Sequence, residues 1–161
     1  MRIIKLISWV ESKHRGQVRK YTDEPYLVHC LQVASQFANE ELAAAALCHD
    51  VLEDTNATIY DLEYALLGAG FSWSETGYIS GIVDELTDKY TKKDYPELNR
   101  KQRKVLEADR LRGISEAAFL IKLEDYKDNI NSIKEHDPDF YELYQKEKDM
   151  YIPYLKEKYG K

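Results

Sequence analysis

Along nearly the whole chain apolar residues recur three or four positions apart with polar residues between them, the spacing that gives an α-helix one face to bury. This periodicity and the turns that interrupt it predict helices over roughly 2–15, 27–38, 40–54, 58–68, 74–87, 95–112, 114–133 and 137–157. No convincing strand pairs are present. Thr22-Asp23-Glu24-Pro25 is turn-like, Thr55-Asn56-Ala57-Thr58 offers an N-cap, Gly68-Ala69-Gly70 ends a helix, and Asp137-Pro138 starts the last one. Tyr144, Tyr151 and Tyr154 recur at helical spacing in that last segment and read as a core stripe, with base stacking by one of them as the alternative. The expected fold is all-α, a helical bundle forming one compact domain over 1–161.

One stretch does not fit a plain core helix. Leu42-Ala43-Ala44-Ala45-Ala46-Leu47-Cys48 consists almost entirely of strong helix formers, so the helix is expected to continue through His49 and Asp50. Ionisable groups inside an apolar segment must be paired, metal-bound or neutralised, because an uncompensated buried charge costs several kcal/mol or more. Asp50 and Glu53, Asp50 and Asp54, and His49 and Glu53 stand at i,i+3 or i,i+4, so a helix would turn all four toward one side of a cavity. His49 and Asp50 could bind an ion while Glu53 and Asp54 handle protons; a structural ion-pair cluster is the competing reading.

The pattern resembles the HD phosphohydrolase superfamily, whose metal ligands are a lone histidine, an adjacent His-Asp and a later aspartate. The resemblance matches those ligands to His29, His49, Asp50 and Asp125. Lys13-His14-Arg15-Gly16-Gln17-Val18-Arg19-Lys20 and Pro25-Tyr26-Leu27-Val28-His29 look like the opening of the RelA/SpoT-type hydrolase domain, and His49 to Thr55 like its metal and catalytic helix. Ile121 to Asn129 is similar to the family's Lys-Leu-Ala-Asp segment with its following asparagine, and the likeness runs from about residue 5 to 155. It implies an HD-domain bundle with Glu53 and Asp54 as the catalytic pair and Arg19, Lys20, Lys122 and Asn129 as substrate contacts. The chain departs from the pattern at Glu124, Tyr126 and Cys30, which leaves metal binding intact and guanosine specificity more exposed to change. Glu124 could face solvent or point inward, where it would repel a phosphorylated ligand.

Composition narrows the setting. A length of 161 residues is enough to bury a core without disulfides, and leaves no room for the synthetase domain of long RelA/SpoT enzymes. The N-terminal apolar run, broken by Lys5 and followed by Glu11 and Lys13, is too short and charged for a membrane span or signal peptide. Cys30 and Cys48 read as small buried hydrophobes rather than ligands or a disulfide framework, which fits a cytoplasmic protein. A formal net charge of −6 argues against stable nucleic-acid binding, since that depends on phosphate neutralisation by a basic surface.

Two imidazoles and two carboxylates suit a divalent transition ion. The family expectation is Mn²⁺, with Fe²⁺, Co²⁺ or Zn²⁺ able to occupy the site in vitro. The implied reaction is hydrolysis of a phosphorylated nucleotide by metal-activated water, most specifically removal of the 3′-pyrophosphate of guanosine-3′,5′-bis(diphosphate), as in the small alarmone hydrolases. Another nucleotide substrate (NADPH, a deoxynucleotide or a nucleoside monophosphate) and a non-catalytic nucleotide-sensing module are the alternatives. His14, Arg15 and Gln17 are further candidates for touching the site, with plain packing or exposure as the alternative. Asn99, Arg100, Arg103 and Lys104 form a second basic group that reads as a charged outer helix face, with leaning over the phosphates as the alternative. The pattern leaves oligomeric state undetermined.

Overall fold

The computed structural model describes residues 1–161 as ten helices, joined by short turns except for the longer loops before the second and seventh. In chain order they are α1 (Arg2–Lys13), α2 (Tyr26–Ala34), α3 (Glu40–Leu47), α4 (Val51–Asp54), α5 (Ile59–Ala69), α6 (Trp73–Leu86), α7 (Arg100–Leu111), α8 (Glu116–His136), α9 (Pro138–Asp149) and α10 (Ile152–Tyr159). The one strand-like pairing is an antiparallel bridge between Val18 and Pro25. No helix is long and apolar enough to cross a membrane.

α3 is the hub. Ala44, Ala45, Ala46 and Leu47 are all fully buried, and the run of small side chains lets α1, α2, α6 and α8 lie against it. Leu6 and Val10 of α1, Leu62 and Leu66 of α5, Ile79 and Val83 of α6, and Phe119 and Ile121 of α8 fill one continuous core around it. Cys30 and Cys48 are buried free thiols within that core, in the hydrophobic role expected of them. Capping boxes start α5 (Thr58 with Asp61), α6 (Ser72 with Glu75) and α7 (Asn99 with Gln102). The left-handed Gly70 at φ 109° ends α5.

Four expected helices differ from the fold, one of them simply by ending at Ala34 rather than 38. The helix expected over 40–54 stops at Leu47 and restarts at Val51, so His49 and Asp50 lie in a turn rather than on continuous helix. The Ala46 carbonyl, which a continuing helix would give to the amide of residue 50, accepts instead from His49 Nδ1 at 2.8 Å. Cys48 and Asp50 both sit at φ −99° with ψ near zero, flatter than helix. The helix expected over 137–157 is two: α9 ends before Met150, and Pro153, which lacks an N–H and would clash with a preceding carbonyl, falls in the first turn of α10. The tyrosines therefore form no single core stripe: Tyr151 is buried, Tyr144 lines a cavity and Tyr154 is half exposed beside Arg112. The helix expected from about 95 begins at Arg100, behind its Asn99 cap.

Candidate metal centre

His29 comes from the middle of α2, His49 and Asp50 from the turn between α3 and α4, and Asp125 from the middle of α8. Because α2 and α8 both lie against α3, the four side chains meet at one point. His29, His49 and Asp50 bring their ligand atoms within 4.8 Å of one another. His49 Nε2 is 2.9 Å from Asp50 Oδ2, and His29 Nε2 is 3.5 Å from it. Asp125 Oδ1 lies 3.3 Å from His29 Nε2 and 3.7 Å from His49 Nε2. Adjacent ligands of one ion at bond lengths of about 2.1 Å stand roughly 3 Å apart, so the cluster of His29, His49 and Asp50 fits a shared ion, with Asp125 beside both imidazoles.

The hydrogen bonds behind the rings test that fit. His49 Nδ1 meets the Ala46 carbonyl, which can only accept, so Nδ1 carries the proton. His29 Nδ1 meets Asp128 Oδ2 at 2.7 Å and donates in the same way. In the neutral rings both Nε2 atoms are then bare lone pairs, and they face each other at 3.2 Å. Two lone pairs at that range require a proton or a cation between them. A carboxylate or carbonyl behind a ligand imidazole, fixing its tautomer, is the usual support of a metal-binding histidine.

Left to protons alone, the cluster would hold them tightly. Burial opposes a charge on His29, but Asp125, Asp128 and Asp50 outweigh it and lift its pKa to about 11. His49 is likewise lifted to about 10 against burial, by Asp50 and then Asp125. Burial would raise Asp50 and Asp125, yet the two imidazoles hold both well below the usual carboxylate range. Tyr26 donates its hydroxyl to Asp50 Oδ2 at 2.6 Å, and Asn129 Nδ2 donates to Asp125 Oδ1 at 2.6 Å.

A cleft with about 800 Å³ of empty space opens beside these carboxylates. Glu53 and Asp54 stand on its wall, as do Lys122, Asp88, Lys104 and Arg100. Glu53 accepts from the Asp88 amide at 3.1 Å, and Glu107 accepts from the amides of Lys89 and Tyr90, which ties the loop before α7 to the cleft. The partial desolvation of the cleft and then Asp88 push the Glu53 pKa to about 7, with Lys122 opposing. Asp54 is also raised, by desolvation and by Asp50. Lys122 is buried 3.9 Å from Asp125 Oδ2, and despite burial its pKa is raised by Asp125 and further acidic neighbours, so it keeps its charge.

A second, aromatic groove of about 680 Å³ lies on the His29 side, lined by Tyr21, Tyr26, Phe140 and Tyr144 together with Arg19 and Lys20. Asn129 lines both cavities, at their junction. The tip that carries Arg19 and Lys20 is fixed by Arg19 N–H to the Glu24 carbonyl and Tyr26 N–H to the Gln17 carbonyl. Lys20 is exposed and sits over the rings of Tyr21 and Phe140, whereas Arg19 is buried against Asp128.

The ten residues expected at the site thus gather around two adjoining cavities. Arg100 and Lys104, expected on an outer helix face, line the cleft instead, while Arg103 is turned back to the Leu98 carbonyl. His14 stacks on Tyr26, and Gln17 holds the Asp54 carbonyl at 2.6 Å, so both support the site from behind; Arg15 is exposed and lines neither cavity. Glu124 turns outward and pairs with Lys127 at 2.6 Å. Sequence reasoning missed Tyr26, Asp88 and Asp128. Tyr26 and Asp128 each stand three residues from a ligand, one helical turn away, which was the available signal.

No family model matches the chain. It is 30% identical to the guanosine-3′,5′-bis(diphosphate) 3′-pyrophosphohydrolase MESH1 of Drosophila melanogaster, over 96% of this chain and 81% of that protein. The chain belongs to the RelA/SpoT-type hydrolase family. The Xenopus tropicalis MESH1 is 31% identical over 85% of the chain and 72% of its own length. A solved member, described as a metazoan ortholog of SpoT that hydrolyses ppGpp and plays a role in starvation responses, superposes with a TM-score of 0.75 at 26% identity, over 96% of this chain and 85% of that one. This agreement extends to the all-helical RelA/SpoT-type hydrolase architecture of the whole chain.

Proposed function

We propose that the protein is a Mn²⁺-dependent guanosine-3′,5′-bis(diphosphate) 3′-pyrophosphohydrolase, a single HD-type domain over 1–161 working in the cytoplasm on a small phosphorylated nucleotide. The observation that carries the metal reading is the pair of Nε2 atoms facing each other 3.2 Å apart and flanked by Asp50 and Asp125. The substrate reading draws on the relatives named for this reaction.

His29, His49, Asp50 and Asp125 would hold the ion. When bound, a divalent ion polarises a phosphoryl oxygen and lowers the pKa of a water. Glu53, with a pKa of about 7 and one carboxylate oxygen oriented by the Asp88 amide, is matched to take a proton from the attacking water near neutral pH. Asp54 stands beside it as the second proton carrier. Lys122 and Lys104 offer positive charge to a departing pyrophosphate, as the bond between phosphorus and the 3′ oxygen breaks to leave GDP or GTP. The aromatic groove, with Lys20 at its edge and Asn129 at the junction, suits the base and ribose. The net charge of −6 favours a small ligand over a nucleic acid, and Lys20, Arg100, Lys104 and Lys122 bring positive charge to these cavities.

The deciding experiment is release of pyrophosphate from ppGpp by metal-stripped protein resupplied with Mn²⁺, beside Asp50→Asn, Glu53→Gln and a panel of NADPH, deoxynucleotides and nucleoside monophosphates. Turnover of ppGpp that is lost in both variants supports the proposal. Faster turnover of another panel member moves the activity to that nucleotide, and tight binding without turnover makes the protein a sensor.

A further inference from the structure

Asp128, the acceptor behind the His29 ring, is itself held by a second charged side chain. Its Oδ2 accepts from His29 Nδ1 at 2.7 Å and lies 2.7 Å from Arg19 Nη1. The same Nη1 donates to Gln32 Oε1 at 3.0 Å, so Arg19 spans from the loop before α2 to both α2 and α8. The Arg19 side chain is only 10% exposed and that of Asp128 20%, which makes this a sheltered ion pair rather than a surface one.

We propose that Asp128 is the positioning residue of the metal ligand His29, and that Arg19 acts through Asp128 as the clamp that holds it. The inference rests on the metal-centre reading and not on the choice of nucleotide.

The chemistry is that of tautomer control. An imidazole can present Nε2 to a metal only if its proton resides on Nδ1. His49 meets that condition through a backbone carbonyl, fixed by the turn itself. His29 lies on a regular helix and has no such carbonyl, so its tautomer and ring angle depend on a side chain 99 residues away on α8, and that side chain is Asp128. A carboxylate there also raises the electron density on Nε2. Arg19 supplies the opposite charge, 2.7 Å away, that keeps the Asp128 carboxylate aimed. The arginine expected to contact substrate is thereby engaged, at Nη1, with the support of the metal instead.

The test measures Mn²⁺ affinity by titration of the metal-stripped protein, without nucleotide, and reads the His29 and His49 tautomers by ¹⁵N NMR of the Zn²⁺-loaded form. Asp128→Ala is expected to weaken Mn²⁺ binding about ten- to a hundredfold and to disturb the His29 tautomer, while His49 keeps its own. Asp128→Asn, nearly isosteric, is expected to retain the tautomer through its side-chain oxygen and to lose several-fold in affinity, which keeps the test usable if the alanine variant folds poorly. Arg19→Gln should weaken Mn²⁺ binding in the same direction, and in combination with Asp128→Ala should add nothing further. Wild-type Mn²⁺ affinity and an unchanged His29 tautomer in both Asp128 variants would overturn the inference, and additive losses would overturn the clamp. If the wild-type protein binds no Mn²⁺ at all, the metal centre and this inference fall together; if it binds the ion but leaves ppGpp intact, only the substrate reading fails.

Discussion

Glu53 and Tyr26 show how much one side chain near the ligands is asked to do. The Glu53 pKa is raised from the ordinary 4.5 to about 7, so its contribution to stability is fully present below 4.5 and is lost as the pH rises through about 7. Glu53→Gln removes that loss. In EDTA the variant is expected to melt at a higher temperature than wild type at pH 8, and at the same temperature near pH 4.5; equal melting at both values would mean that the cleft does not disfavour the Glu53 charge. Glu53 thus has the character of a proton acceptor held at some cost to the fold. Tyr26 fixes Asp50 through a 2.6 Å hydrogen bond to a charged oxygen, so Tyr26→Phe should cost about 1.5–3 kcal/mol in urea unfolding at neutral pH. Glu53 was recognisable from its place after His-Asp. Tyr26 was not, because a tyrosine at a helix start has no chemistry until its hydroxyl is seen to face a ligand.

Among the elements, α3 and α8 carry the positioning. The alanine run of α3 was legible as helix, and its end was not: local propensity favours continuation, and the turn at Cys48–Asp50 is set by the bond from His49 to the Ala46 carbonyl and by the meeting with His29. Leu47 is the last residue before that turn and fully buried. Leu47→Ala should cost about 2–5 kcal/mol, read from denaturant midpoints, whereas Tyr60→Ala on the 77% exposed face of α5 should stay within about 0.5 kcal/mol. Similar losses for the two would mean that α3 is not the hub. In α8 the residues Lys122, Asp125, Asp128 and Asn129 recur one turn apart, a spacing visible in the sequence. Which of them faces the ligands, and that Glu124 faces away, followed only from the packing of α8 on α2 and α3.

At the scale of the whole molecule, the candidate metal centre joins three separate parts of the chain, so binding of an ion there would be coupled to folding. Mn²⁺ at a hundred times its dissociation constant should stabilise the protein by about 2.7 kcal/mol, seen as a higher melting temperature than in EDTA, and His29→Ala should remove the difference. The histidines add a pH dependence. Their folded pKa values of about 11 and about 10 lie above the ordinary 6.5, so their contribution to the stripped protein is fully present below 6.5 and is lost as the pH rises through about 10 to 11. Mn²⁺ must displace those protons, and its measured affinity should therefore climb steadily between about pH 6 and 9; a flat profile would count against ligation by the two rings. The sequence by itself determined the helical class and the helix boundaries at Thr58, Gly70 and Asp137, because periodicity and capping chemistry are local properties, while His29, His49, Asp50 and Asp125 were singled out as a ligand set by resemblance to a family. Tertiary structure alone decided that Arg100 and Lys104 face the cleft, that Arg19 is held by Asp128, and that the two imidazoles meet Nε2 to Nε2, because each depends on the distance between helices remote in the chain.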